Sequence, residues 1–211
     1  MYFKKVKRLI KKLKKIKVLD ERTERAFLKI DRRDFLPEEC KHLAEEDRPI
    51  PIGCGQTNSQ PTVVAFMLNK LNPQKGDLVL DIGSGSGWTT ALLAELVGSK
   101  GKVVAIERIK ELKIFGEENV RKYGFIEEGR VNFVHGDGWE GFPKKAPFDR
   151  ILVSAGLKEE IPESWKDQLT EGGTVVAPVK NSICKFNKNG GEITKEEFFG
   201  FRFVPLIKNN E

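Results

Sequence analysis

Apolar positions return along this chain in two rhythms, one of three to four residues and one that is nearly continuous. Tyr2, Val6, Leu9, Leu13 and Ile16 recur at helical steps with lysines between them, which predicts an amphipathic helix over the first sixteen or so residues. Asp20 offers a cap for a second helix that carries Arg22, Ala26, Leu28 and Ile30 to about Asp34, with Pro37 closing it. Residues 38–60 show neither rhythm and contain Pro49, Pro51, Gly53 and Gly55, so they read as a long irregular segment, a kind that is usually functional in a compact domain. Pro61 then suits the first turn of a helix through Val64, Ala65, Met67, Leu68 and Leu71.

From residue 78 the continuous rhythm takes over. Apolar runs at 78–82, 102–107, 131–135, 148–153 and 174–178 predict strands, and helical patterns near 87–97, 109–123 and 161–169 fall between them. Such alternation predicts an α/β fold, a doubly wound and mostly parallel sheet. Beyond it, Ile183 to Phe186, a turn at Asn189-Gly190-Gly191, and Phe199 to Leu206 predict two or three antiparallel edge strands.

The first strand ends in Asp81, followed by Ile82-Gly83-Ser84-Gly85-Ser86-Gly87 and a helix. Glycines there allow a sharp turn and a close approach of backbone to ligand. The second strand ends in Glu107, about twenty residues past the first glycine, where an acid suits the two hydroxyls of a ribose. The turn is tighter than the G-x-G-x-x-G that seats a pyrophosphate, and Asp81 would repel phosphate while suiting a cationic amino group. S-adenosylmethionine carries an ammonium and no phosphate, so the pattern points to a methyl-donor fold. Asp137, in His135-Gly136-Asp137-Gly138 at the end of the third strand, is placed to accept from an adenine amino group, because ligands in such sheets bind at the carboxyl ends of the strands.

Composition narrows the picture. At 211 residues, one domain is expected, with residues 1–60 packed as N-terminal helices and active-site loop on a core of residues 61–211. The longest apolar runs fall short of a membrane span, and lysines interrupt any secretory signal. Three scattered cysteines and two histidines argue for a reduced cytoplasmic protein without a metal site. The net charge of +6 is uneven: residues 1–18 hold nine cations and no acid, leaving 28 cations against 31 acids in the rest. The favoured reading of this basic helix is an apolar stripe packed on the body with lysines outward. Salt-dependent attraction to nucleic acid or an anionic surface is the sharper alternative.

A family comes into view at Asp47-Arg48-Pro49-Ile50-Pro51-Ile52-Gly53-Cys54-Gly55-Gln56-Thr57-Asn58-Ser59-Gln60-Pro61, which resembles the signature loop of protein-L-isoaspartate O-methyltransferases. Arg32-Arg33-Asp34-Phe35-Leu36-Pro37, the glycine loop after Asp81, Gly136-Asp137-Gly138, Ala146-Pro147-Phe148-Asp149 and Phe203-Val204-Pro205-Leu206 resemble further stretches of the family in the same order. The resemblance implies a monomeric repair enzyme that methylates the free α-carboxylate of L-isoaspartyl residues in damaged proteins and peptides, with S-adenosylmethionine as donor. It implies a catalytic Ser59, acceptor contacts from Gln56, Thr57, Asn58, Gln60, Val204 and Pro205, and a donor site of Asp81, Gly83, Ser84, Gly85, Gly87, Glu107, Arg108, Asp137 and Gly138. Asn58 departs from the family's branched apolar residue, Trp88 from its commoner tyrosine and Ile207 from a frequent threonine; of these, Asn58 bears on acceptor preference. Two alternatives stand beside this reading: a methyltransferase acting on RNA or a small carboxylate, and a donor-binding adaptor without turnover. Asn189-Gly190 stands out separately, as the step most prone to succinimide formation, since glycine leaves its nitrogen unhindered.

Overall fold

The continuous apolar runs become the strands of one seven-stranded sheet in the computed structural model, which describes residues 2–207, with side-chain surroundings from Leu9 onward. β3 (Leu78–Ile82), β4 (Lys102–Glu107), β5 (Val131–His135) and β6 (Phe148–Val153) are parallel, and β7 (Leu169–Val179) continues parallel to β6. β8 (Ser182–Asn189) and β9 (Glu192–Phe199) add an antiparallel edge, giving the order β5-β4-β3-β6-β7-β8-β9. Parallel central strands are covered on both faces, which is why their sequences read as unbroken apolar runs. Val79, Leu152 and Val176 face one core, while Leu80, Ile151, Val175 and Ala177 face the other.

The first core is closed by α1 (Tyr2–Lys15), α2 (Glu21–Lys29), α3 (Pro61–Leu71) and α4 (Trp88–Val97), through Ile10, Leu13, Phe27, Leu68 and Leu92 among others. Helix α4 is buried almost all round, a property of helices enclosed by other elements. The second core closes on Trp165 of the five-residue α6 (Glu163–Asp167). Helix α5 (Lys110–Arg121) follows β4, and Gly116 on it meets the glycine loop after β3.

Several expectations are corrected. Helix α1 ends at Lys15, so Ile16 lies beyond it at 47% exposure, and the buried positions are Ile10 and Leu13 with Leu9 packed beside them. The side chains of Tyr2, Val6 and the cations Lys4, Lys5, Lys7 and Arg8 lie outside the described residues. Helix α2 starts as expected, with the Asp20 carboxylate accepting from the Thr23 N–H at 2.7 Å, but stops at Lys29, and a short 3-10 turn covers Arg32–Phe35. Its buried face is Thr23, Ala26 and Phe27; Leu28 is 51% exposed. The irregular segment holds a hairpin of β1 (Ile50–Gly53) and β2 (Gln56–Asn58). Helix α6 is far shorter than 161–169, because Leu169 already pairs with Phe148 as the start of β7. Finally, the last strand is residues 192–199, and Phe199 to Leu206 is no edge strand: this tail turns back across the strand ends, with Pro205 bridged to Gly156.

Candidate active site

The sheet order reverses direction at β3, which has β4 on one side and β6 on the other, and a crevice opens at the carboxyl ends of these strands. One pocket there is lined by Gly83, Ser84 and Gly85 from the loop after β3, Glu107 and Arg108 after β4, Asp137 and Gly138 after β5, and Ser154 after β6. Gln56, Thr57 and Asn58 of β2, with Ser59 just after it, close a second wall, and Val204 and Pro205 a third.

The glycine loop reaches its position by backbone-to-backbone packing. Gly87 begins α4 at φ +87°, and a Cβ there would meet the Gly116 carbonyl oxygen at 2.8 Å and Val120 at 2.9 Å. On the facing helix, a Cβ at Gly116 would meet the Gly85 carbonyl oxygen at 2.7 Å. Glycine is needed on both sides of this contact. Glu107, buried, accepts from the Gly85 N–H and the Ile109 N–H, each at 2.9 Å, so it also ties the loop to the start of α5.

Asp81 lies fully buried beneath the pocket rather than in its wall. Its Oδ2 accepts from the hydroxyls of Thr90 (2.6 Å) and Thr89 (3.1 Å), whereas Oδ1 has no partner among the described residues. Burial pushes its carboxyl up to about 6, against the opposing pull of the two threonine hydroxyls. Ser84 Oγ and Trp88 Nε1 are likewise buried without a partner among the described residues. An unpaired buried carboxylate oxygen beside a glycine loop fits a donor that carries an ammonium. Gly87, like Asp81, sits outside the pocket lining, at the root of the loop.

The hairpin side of the pocket is organised around Arg32. Its guanidinium is buried, and desolvation lowers it to about 9. It donates to the carbonyls of Glu46 (2.8 Å), Arg48 (2.9 Å), Ser59 (2.9 Å), Asn58 (3.2 Å) and Ala44 (3.3 Å), and through Nε to Asn58 Oδ1 at 2.8 Å. Asn58 in turn donates from Nδ2 to Ser86 Oγ at 3.2 Å, linking the β1–β2 hairpin to the glycine loop. Its amide is thus engaged inward at both ends. Asp47 accepts from the Thr62 N–H (2.9 Å) and hydroxyl (2.7 Å), so it caps α3 from a distance, while the Gln60 amide at the cap position makes no capping bond among the described residues. The tail is stitched in place by Gly156 N–H to the Val204 carbonyl (2.7 Å) and Leu206 N–H to the Gly156 carbonyl (2.8 Å).

A second groove runs alongside, lined by Gln60, Thr62, Phe201, Arg202 and Phe203, and it shares Thr57, Ser59, Ser154 and Val204 with the first pocket. The structure therefore brings the sequence-proposed residues into one neighbourhood: Ser59 and Thr57 on the shared wall, Gln60 in the groove, Asp81 and Gly87 under the floor. Sequence reasoning missed Ile52, Trp88, Thr89, Leu112 and Ser154 as lining residues. Trp88 and Thr89 directly follow the glycine loop and Ile52 lies inside the signature loop, so all three could have been included on adjacency; Leu112 carries no local signal. Among the described residues, the pocket lining contains neither histidine, and no group of three His, Cys, Asp or Glu side chains could hold a metal ion.

A mostly parallel sheet with this order, its glycine loop and the acids at its strand ends define an S-adenosylmethionine-dependent methyltransferase. Residues 4–211 match the family model for protein-L-isoaspartate(D-aspartate) O-methyltransferase, and the chain belongs to that family. It is 41% identical over 206 residues to the protein-L-isoaspartate O-methyltransferase of Methanopyrus kandleri, covering 95% of this chain and 90% of the relative. The corresponding protein of Aeropyrum pernix is 44% identical over 195 residues, covering 90% and 74%. A solved protein-L-isoaspartate O-methyltransferase superposes with a TM-score of 0.87 at 32% identity, covering 97% of this chain and 66% of that longer one. A Plasmodium falciparum structure of the same description, in complex with S-adenosyl-L-homocysteine, gives 0.87 at 28% identity, covering 96% and 98%.

Proposed function

We infer that this protein transfers a methyl group from S-adenosylmethionine to the free α-carboxylate of L-isoaspartyl residues in damaged proteins and peptides. The observation that carries this reading is the shared wall: Ser59 and Val204 line both the donor pocket and the adjoining groove, so a peptide in the groove presents its carboxylate at the donor. Bound S-adenosylmethionine supplies an electrophilic methyl group. Asp81 would take its ammonium, Glu107 the ribose hydroxyls and Asp137 the adenine amino group, with Gly83, Ser84, Gly85, Gly87, Arg108 and Gly138 shaping the seat.

The acceptor is already an anion at neutral pH, so the site needs no general base. What the residues must do is orient the carboxylate and exclude water. Ser59 offers a hydroxyl donor at the partition, Gln56, Thr57, Asn58 and Gln60 form the loop around it, and Val204 and Pro205 form the far wall. Ile52, Leu112 and Leu206 make much of the lining apolar. Cys40, Cys54 and Cys184 are unpaired, which supports a reducing compartment such as the cytoplasm.

The test is methyl transfer from labelled S-adenosylmethionine to a short isoaspartyl peptide, with the matched aspartyl peptide and Ser59→Ala alongside. Base-labile label on the isoaspartyl peptide alone is expected, falling about 10²-fold in the variant. Donor binding without label on either peptide would overturn the acceptor assignment.

A further inference from the structure

We propose that Asn189 is this protein's own site of isoaspartyl damage, that Glu171 guards it, and that the damaged molecule is a substrate for a second copy of itself. Asn189-Gly190 is the one Asn–Gly step in the sequence. It sits at the exposed tip of the β8–β9 hairpin, where Asn189 pairs with Glu192 and Gly190 and Gly191 form a two-residue loop at φ +61° and +80°.

The reactive atom in succinimide formation is the Gly190 nitrogen. It attacks Cγ of Asn189, the new ring C–N bond forms, the bond from Cγ to Nδ2 breaks, and ammonia leaves with the proton that the backbone nitrogen gives up. Water then opens the ring to aspartyl or isoaspartyl. In this structure the Gly190 N–H is donated to Glu171 Oε2 at 2.8 Å, and the Gly191 N–H to Glu171 Oε1 at 3.1 Å. A carboxylate in that position opposes the reaction in two ways. It stabilises the protonated nitrogen through a charge-assisted hydrogen bond. It also disfavours the amide anion, a second negative charge beside the first. The ladder pairing of Asn189 adds a conformational restraint, since the nitrogen and Cγ must rotate toward each other before they react. Glu171 thus makes the hairpin tip, exposed and chemically the weakest step in the sequence, slow to age.

The part of this proposal that concerns a second copy rests on the methyl-transfer reading above. The full-length protein, Glu171→Ala and Asn189→Gln are incubated warm at neutral pH without donor, and isoaspartate at residue 189 is measured by peptide mapping. Glu171 is exposed in the irregular stretch near the start of β7, outside both cores, so alanine leaves them untouched. The expected result is about tenfold faster accumulation in Glu171→Ala than in the parent, the scale of one lost charge-assisted hydrogen bond. Equal rates, or no isoaspartate at 189 in either protein, would overturn the guard. The aged samples are then given fresh enzyme and labelled S-adenosylmethionine beside a synthetic isoaspartyl peptide. Label mapping to residue 189, and absent there from Asn189→Gln, supports self-repair. Label on the peptide but not at 189 overturns self-repair alone, and label on neither places the failure in the functional reading, with the mapping still deciding the guard.

Discussion

A carboxylate with one oxygen held and the other left over is the most informative residue in the molecule. Folding lifts the Asp81 carboxyl from its ordinary 3.8 to about 6, so between those values the folded protein holds a proton that the unfolded one has released. The contribution of Asp81 to stability is therefore fully present below about pH 4 and is lost as pH rises through 6. A bound ammonium reverses the preference by favouring the anion. Donor affinity is expected to weaken as pH falls below about 6, while Asp81→Asn binds roughly 10–100-fold more weakly with little pH dependence in that window. Isothermal titration between about pH 5 and 8 checks this; parallel pH profiles for the two proteins would remove Asp81 from the ammonium site. Asn58 calls for a different expectation. Its amide is engaged by Arg32 and Ser86, so Asn58→Val strands a buried guanidinium Nε and should cost about 1–3 kcal/mol of stability. Selectivity between isoaspartyl and aspartyl peptides is expected to stay unchanged. Denaturant unfolding and paired peptide assays test the two halves separately, and a shift in selectivity without loss of stability would return Asn58 to direct acceptor recognition.

At the scale of elements, the donor loop and α5 are fitted to each other by two glycines, only one of which the sequence advertises. Gly87 belongs to a visible motif, whereas Gly116 looks like a weak point in a helix pattern. A methyl at Gly116 would press on the Gly85 carbonyl at 2.7 Å, and backbone on both sides leaves little room to yield. Gly116→Ala is expected to cost about 1–3 kcal/mol despite its better helix propensity, and to weaken donor binding more than peptide binding. Thermal melts with and without donor measure both effects. The same contrast explains what was legible beforehand. β3, β4, β5 and β6 were readable residue for residue: β3 and β4 are apolar along most of their length because central strands are buried on both faces, and the edge strand β5 still shows its buried Val131 and Phe133. The β1–β2 hairpin was not readable: its strands are four and three residues long, one contains Pro51, and its turn places Gly53, Cys54 and Gly55 all at positive φ. The tail misled for a related reason. Phe201 and Phe203 alternate like a strand, yet they line the groove, and Leu206 after them is held by the Gly156 turn instead of a ladder. Motif residues of the site were legible because a ligand constrains their type. Arg32 was visible only as part of a motif, since its partners are backbone carbonyls that carry no sequence signature.

Over the whole molecule, the basic first helix is tied to the start of α3 beside the proposed acceptor site, and this distinguishes a structural role from a surface handle. Leu13 is fully buried in the same core as Phe27, Leu68 and Val79, and Lys12 donates to Asp47 Oδ2 at 2.8 Å while Asp47 caps α3 beside Ser59. Burial alone would raise the Asp47 carboxyl, but hydrogen bonds from Lys12 and Thr62 overcome it and hold the group below its usual range. That contribution is present above the ordinary carboxylate value and is lost as pH falls through the folded one, the opposite sense to Asp81. The lysine is more than half exposed, so Lys12→Ala should cost under about 1 kcal/mol. Leu13→Ala removes a fully packed leucine and should cost about 2–5 kcal/mol. Because α1 and the α3 cap are joined, the leucine variant is also expected to raise the peptide KM while leaving donor affinity close to the parent's. Urea unfolding followed by steady-state kinetics on an isoaspartyl peptide separates the cases. If α1 were chiefly an electrostatic handle, the order would invert: the lysine change would matter most, its effect would vanish with added salt, and Leu13→Ala would leave stability untouched.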